Sequence, residues 1–292
     1  MGEGYKRIKM ITYLQNKFIN WLRAKYYWFR LHKTIKTFFL NRKERKVLLY
    51  GYPKSGNTWL RLLLFNYRSL LLDSTQRDTI TYDTLNDLQD NILDRGTTFI
   101  PKKGMPFFYR THKIYIKTYN LFDKKIFIHR NPLDTLISSF YFYKNREIPF
   151  LFDPEFIRSR LHDIDFYVLY KIDSWISFYN ISMKHADFVM NYTEMKQEPE
   201  KCLSSLLNFL EWQYDENLIK RAVSFSSFNK VKKMGQQNNQ KYGNGPKDGS
   251  FKGEFTRSGT ESQFQHELKQ ETISYVLHKF PEFKKIYPQL IE

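Results

Sequence analysis

Two stretches of this chain pass from a short continuous apolar run, through a polar turn, into a long segment with helical character. Val47–Tyr50 is apolar throughout, the turn that follows holds glycine, proline and small polar residues, and Leu60–Leu72 is leucine-rich and long enough for a helix. Ile126–His129 starts a second such unit and reads as a short buried strand. After it, Asn131 is a good N-cap, Pro132 takes the first helical position, and Asp134 falls in the first turn, where negative charge suits the dipole. Pro106–Lys113 reads as another strand, and Ile172–His185 as a helix leading into the strand Ala186–Asn191. Glu198-Pro199 introduces an amphipathic helix over Lys201–Leu210. Pro149–Tyr170 predicts helices covering a pocket. Without a linker or repeat in the middle, one large α/β domain is expected.

The turn Gly51–Thr58 carries the first chemistry. A strand, a glycine-bearing loop and a helix N-terminus together hold anions through backbone N–H groups. Lys54 adds an ammonium, Ser55, Asn57 and Thr58 add neutral donors, and Gly56 lets the backbone come close. The lysine precedes Ser-Gly and no Gly-Lys-Ser/Thr closes the loop, so this is not a Walker A motif. That disfavours an ATPase or GTPase and points to another phosphorylated ligand. Arg130 stands at the carboxyl end of its strand, where open α/β sheets bind ligands, and its fork suits a phosphate. Ser138, two turns into the helix, can point back to the same place.

Composition narrows the picture. The chain has 292 residues, 41% hydrophobic and 18% aromatic, ample for a substantial core. One cysteine, Cys202, excludes a disulfide framework and a cysteine-rich metal site. No stretch approaches the ~20 apolar residues that span a bilayer, and no signal peptide is evident, so a cytoplasmic location is expected. The net charge of +17 is uneven: residues 1–46 hold 13 Lys/Arg and 2 Glu, giving +11 there and +6 over the remaining 246 residues. Residues 1–46 also place Ile8, Ile11, Leu14, Phe18, Leu22, Tyr26 and Phe29 at helical spacing, so a basic amphipathic segment precedes a main domain at 47–292. Three readings stay open for it: a peripheral membrane contact through residues 5–46, at the inner membrane surface; a helix packed on the domain; or a nucleic-acid-binding element, the least favoured.

The order Tyr52-Pro53-Lys54-Ser55-Gly56-Asn57-Thr58-Trp59 resembles the phosphosulfate-binding loop of sulfotransferases, with Asn57 in place of the usual threonine. Ile126–Phe142 resembles the 3′-phosphate segment of the same family. The resemblance implies a central parallel sheet flanked by helices in three α/β/α layers, with a P-loop-like phosphosulfate-binding loop. It also implies transfer of a sulfuryl group from 3′-phosphoadenosine 5′-phosphosulfate (PAPS), without a metal, to a hydroxyl or amine acceptor. Arg110-Thr111-His112 resembles the family's Lys-Ser/Thr-His triplet, so His112 aligns with the general base and Arg110 replaces the lysine.

By the same resemblance Lys54 neutralises the leaving group, Ser55–Thr58 hold the 5′-phosphate, and Arg130, Ser138 and Arg257 bind the 3′-phosphate. Tyr192 follows a strand as the family's adenine-contacting tyrosine does; Ser226 and Phe228 match the residues flanking the adenine, with Trp59 as a further stacking ring. Arg257-Ser258-Gly259 resembles an Arg-Lys-Gly signature, with Ser258 for the lysine, and Gly235–Gly253 reads as a flap over the cofactor. The dimer motif of cytosolic animal members is absent from Gln265–Tyr275, so no oligomeric state is assigned. Phe107, Phe108, Tyr141, Phe142 and Tyr143 are acceptor-pocket candidates, suited to a glycan, lipid or small molecule. Two other readings compete: a kinase-like nucleotide enzyme, and a lapsed sulfotransferase scaffold that binds membrane or polyanion.

Overall fold

The computed structural model describes residues 25–26, 29–40, 43, 45–75, 77, 80–81, 84–85, 90–91, 107–144, 162–234 and 259–288. Most of the basic segment, the proposed flap, Arg257, Ser258 and residues 149–161 of the predicted pocket-covering stretch therefore lie outside the described residues. So does the side chain of Phe107.

Helix α1 covers 29–40 and is followed by strand β1 (Lys46–Tyr50), helix α2 (Asn57–Leu72) and the two-residue β2 (Asp90–Asn91). Next come β3 (Phe107–Thr111), the single turn α3 (Ile116–Tyr119), β4 (Lys124–His129) and α4 (Pro132–Lys144). The long α5 (Ile164–His185) leads to β5 (Phe188–Asn191), α6 (Tyr192–Gln197), α7 (Pro199–Leu210), α8 (Glu216–Phe225) and α9 (228–234). Three short helices close the chain: α10 (Phe264–Glu267), α11 (Gln270–Lys279) and α12 (Phe283–Ile286). No described helix is long and apolar enough to cross a membrane.

The strands form one parallel sheet in the order β2-β3-β1-β4-β5. A strand alternates its side chains between faces, so a continuous apolar run feeds two cores at once. Leu48 and Tyr50 of β1 join Phe127 of β4, Leu133, Leu136 and Ile137 of α4, and Val168, Ile172 and Trp175 of α5 on one face. Val47 and Leu49 join Ile126 and Ile128, the leucines of α2, and Leu203, Leu206 and Leu207 of α7 on the other. The fold is thus a central parallel sheet flanked by helices, three layers in all. Helix α1 contributes Leu31, Ile35 and Phe39 to the first core, one residue per turn, so this part of the basic segment packs on the sheet. Tyr26, just before this helix, and Phe29, its first residue, remain 63% and 60% exposed.

This layering positions a crevice. β1 and β4 are neighbours, yet α2 after β1 packs on one face and α4 after β4 on the other. Where adjacent strands send their helices to opposite faces, the loops at their carboxyl ends part and leave room for a ligand.

Candidate active site

The loop after β1 is built by backbone constraint. Lys54 and Gly56 both adopt positive φ, 72° and 99°, on either side of Ser55, and the Ser55 N–H closes on the Tyr52 carbonyl at 3.2 Å. Gly56 is required twice over, because a Cβ there would lie 2.4 Å from the Tyr192 ring. The first α2 bond runs from Leu60 N–H to Gly56 O at 3.1 Å, so the N–H groups of Asn57, Thr58 and Trp59 precede the helical ladder and face the crevice end of α2. Asn57 turns its amide back to the Tyr52 carbonyl at 3.4 Å and braces the loop from inside. The Ser55 hydroxyl is buried and has no hydrogen-bond partner among the described residues.

The loop after β3 is tied to the same place. His112 Nδ1 lies 2.8 Å from the Gly51 carbonyl. A carbonyl only accepts, so Nδ1 carries a proton, and in the neutral ring the lone pair is then on Nε2. Gly51 is itself pressed against β4: a Cβ there would come 2.5 Å from the Ile128 carbonyl. His112, the anion loop and the end of β4 are therefore joined through Gly51.

After β4, Asn131 caps α4 through its side-chain oxygen, which receives Leu133 N–H at 2.9 Å, as its sequence position leads one to expect. Arg130 is buried; its Nη2 donates to the Thr260 carbonyl at 2.9 Å and stands 3.6 Å from Asp134. Its guanidinium carbon sits 4.7 Å from the centre of the Tyr192 ring, and its Nε has no partner among the described residues. Burial pushes the Asp134 carboxyl up, while Arg130 and the N–H groups of Ser262, Gln263 and Phe264 pull it back down. Burial likewise raises the Tyr192 hydroxyl, against the nearby Arg130 charge. Ser138 is half-buried on α4 and makes no bond to Arg130 among the described residues.

Aromatic residues complete the cleft. Trp59 meets Tyr192 edge-on, with centroids 5.8 Å apart. Its indole N–H reaches the Ser226 carbonyl at 2.8 Å, while the buried Ser226 hydroxyl takes a bond from Asn66 at 3.0 Å. Ser226 thus holds Trp59, and its hydroxyl is turned inward. Gly259 has φ 64° and backs onto the Phe228 ring, which a Cβ would approach to 2.1 Å. Lys196 donates to the Gly259 carbonyl at 2.8 Å. On the other side, Lys54 Nζ lies 4.7 Å from the centre of the Phe142 ring.

The structure brings together Lys54, Ser55, Gly56, Asn57, Thr58, Trp59, Tyr192 and Arg130, ties His112 to the loop through Gly51, and sets Phe228 against Gly259. Phe108 is corrected: it is a core residue, packed edge-on against Phe65 and Trp212. Among the described residues no group of His, Cys, Asp or Glu could hold a metal ion. The donors instead suit an elongated polyanion, with N–H groups and an ammonium at one end and a guanidinium at the other.

A sequence model of the sulfotransferase domain matches residues 44–282. The chain belongs to the sulfotransferase family. Bovine sulfotransferase 1A1 is 23% identical over 197 residues, covering 64% of this chain and 66% of the relative. Rat sulfotransferase 2A1 is 26% identical over 208 residues, 67% and 70% of the two chains. A Drosophila melanogaster WSCD family member, CG9164, is 25% identical over 181 residues, 60% of this chain and 53% of its own. The chain spans about two thirds (66%) of the length of the bovine and mouse 1A1 relatives.

Retinol dehydratase, solved with androsterone and the inactive cofactor PAP, superimposes with a TM-score of 0.61 at 14% identity, over 82% of this chain and 80% of that one. A mouse sulfotransferase (SULT7A1) complexed with PAP gives 0.56 at 18%, over 83% and 84%. This sulfotransferase fold has further site residues that its sequence did not disclose. Glu261 receives the Thr193 hydroxyl and stands 3.9 Å from Lys196, which locks the segment after Gly259 onto α6. Ser174 of α5 bonds the Tyr52 hydroxyl, whose titration burial pushes up to about 12. Both links join residues distant in sequence, and no local pattern announces them.

Proposed function

We propose that this protein transfers a sulfuryl group from PAPS to a hydroxyl acceptor. The observation that carries the reading is the 2.8 Å bond between His112 and Gly51, which ties the imidazole to the anion loop and, in the neutral ring, suits the tautomer a base needs. When bound, PAPS supplies an activated sulfuryl group whose departure leaves adenosine 3′,5′-bisphosphate (PAP).

In this reading the N–H groups of Asn57–Trp59 and the Lys54 ammonium hold the 5′-phosphate end and offset the charge that grows on the leaving oxygen. Lys54 would leave the Phe142 ring to do so. Arg130, through Nε and its remaining donors, holds the 3′-phosphate, and Ser138 and Arg257 are assigned to the same group. Tyr192, Trp59 and Phe228 enclose the adenine. The acceptor oxygen forms its new bond to sulfur as the sulfur–oxygen bond to the phosphate breaks, and His112 Nε2 takes the acceptor's proton. No metal is assigned to this reaction; positioning and charge carry it.

We further infer a cytoplasmic enzyme that touches an anionic membrane through its basic segment. Exposed Tyr26 and Phe29 beside that charge support this. Sedimentation with phosphatidylserine vesicles should deplete the full chain and spare a Tyr26→Ser, Phe29→Ser variant; equal depletion of both overturns it.

Calorimetric titration with PAP, using ADP as control, tests the main reading. PAP should bind at least tenfold more tightly than ADP, and Lys54→Ala should weaken it. A preference for ADP would favour a kinase-like enzyme; binding of PAP with no sulfated product from any acceptor would favour a lapsed scaffold.

A further inference from the structure

Among the described residues, Lys113 beside the base and Lys171 near it have no acidic partners. Lys113 follows His112 directly and is exposed. Its backbone is fixed by Thr111, whose hydroxyl accepts Lys113 N–H at 3.0 Å, and by Tyr119, whose hydroxyl donates to the Lys113 carbonyl at 2.7 Å. Lys171 comes from α5. It shares a stripe with Ser174 and Phe178, spaced by three and four residues, and these two touch Tyr52 through a hydrogen bond and an edge-on ring contact at 5.5 Å. That stripe runs along the loop that carries Gly51 and Tyr52, with Lys171 one turn before Ser174 and within electrostatic reach of Lys113.

The acids of α5 are committed elsewhere. Asp163 caps the helix, Asp165 accepts Lys269 N–H at 2.9 Å, and Asp173 pairs with Lys279 at 2.9 Å. Among the described residues neither Lys113 nor Lys171 has a carboxylate within ion-pair distance. Lys171 instead lies over the Tyr170 ring at 5.1 Å. It is half-buried, and both burial and Lys113 depress its charged form. Two ammonium groups near each other, with no carboxylate beside them among the described residues, cost energy that an anion between them would recover.

In the sulfuryl-transfer reading the cofactor's phosphates are assigned to Lys54 and Arg130, so neither Lys113 nor Lys171 is needed for them. Lys113 adjoins His112 in sequence, and Lys171 lies one turn from exposed Ser174, which bonds the Tyr52 hydroxyl, so both belong to the neighbourhood of the base. We propose that the acceptor is a hydroxyl compound carrying a fixed oxyanion, which Lys113 and Lys171 clamp while its hydroxyl meets His112. This selects an acidic sugar or carboxylated phenol over a neutral one, and it rests on the sulfuryl-transfer reading above.

The test uses the full-length protein saturated with PAP and two matched pairs of probes: methyl β-glucuronide against methyl β-glucoside, and 4-hydroxyphenylacetate against 4-methylphenol. At least one anionic member should bind tenfold or more tightly than its neutral twin. Lys113→Gln with Lys171→Gln should erase the difference, and Lys113→Arg with Lys171→Arg should keep it, with PAP affinity unchanged in both. Equal binding within both pairs, a preference that survives the double Gln variant, or no binding of either anionic probe overturns the proposal. Failure of PAP itself to bind would instead overturn the sulfuryl-transfer reading, so the two are told apart.

Discussion

The indole N–H of Trp59 donates to the Ser226 carbonyl at 2.8 Å, across 167 residues of sequence. This bond joins the first turn of α2 to the end of α8, and it stands Trp59 edge-on to Tyr192. Trp59→Phe keeps a ring but removes the donor and leaves the Ser226 carbonyl short of it. Unfolding in urea should show a loss of about 1 kcal/mol, and PAP should bind more weakly because the ring is no longer held. An unchanged midpoint would mean that the bond is idle in solution.

Gly56→Ala is expected to cost far more than its size. The backbone there sits at φ 99°, and the added carbon would lie 2.4 Å from Tyr192 Cδ2. Left-handed strain of about 1–3 kcal/mol adds to displacement of the tyrosine from Arg130. Thermal unfolding should fall by several degrees and PAP affinity at least tenfold. A variant of wild-type stability and affinity would show that the loop relaxes at no cost.

How far the sequence discloses the site depends on where each signal lies. β1, its loop and α2 were legible because a buried parallel strand needs an unbroken apolar run and an anion loop needs glycine at a fixed place. The cap at Asn131 was legible for the same local reason. Phe108 was not: consecutive aromatics do not tell which face of β3 meets the pocket and which meets Phe65. Ser226 carried a hydroxyl at the right position, yet its partner Asn66 lies 160 residues away, and only the fold shows that the hydroxyl turns inward. The core residues Leu31, Ile35 and Phe39 were hidden among lysines, since a basic amphipathic stripe suits a membrane surface and a protein core equally well.

His129 gives the protein a pH limit on its stability. It is buried with its Nδ1 2.6 Å from the Tyr287 hydroxyl, and burial holds it down at about 4, against 6.5 for an ordinary histidine. Between those values the unfolded chain binds a proton that the folded chain refuses, so stability is intact above 6.5 and falls as pH drops toward 4. The full loss from this group is on the order of 3 kcal/mol. His129→Gln should unfold with a smaller change between pH 7 and pH 4.5 than wild type. Parallel pH profiles would show that His129 is not the group responsible.

Arg130→Lys separates phosphate recognition from folding. Lysine keeps the charge beside Asp134 but loses the fork, along with the bond to Thr260 and the unpartnered Nε. Loss of a charged hydrogen bond costs about 1.5–3 kcal/mol, so PAP affinity should fall tenfold or more while AMP, which has no 3′-phosphate, changes little. An equal loss for both ligands would place Arg130 at the nucleoside rather than at the 3′-phosphate.

His112→Asn tests the base while sparing its anchor. The asparagine amide can donate to the Gly51 carbonyl as Nδ1 does, so the loop after β3 should keep its position and PAP its affinity. What the variant lacks is the basic Nε2. General-base catalysis contributes roughly 10²–10⁴-fold, and kcat with a working acceptor should drop by that factor with little change in KM. The acid limb of the kcat/KM profile should also vanish, because protonating His112 is what removes the base in wild type. Full turnover in His112→Asn would assign proton removal to another group and leave the His112–Gly51 bond a purely structural clasp.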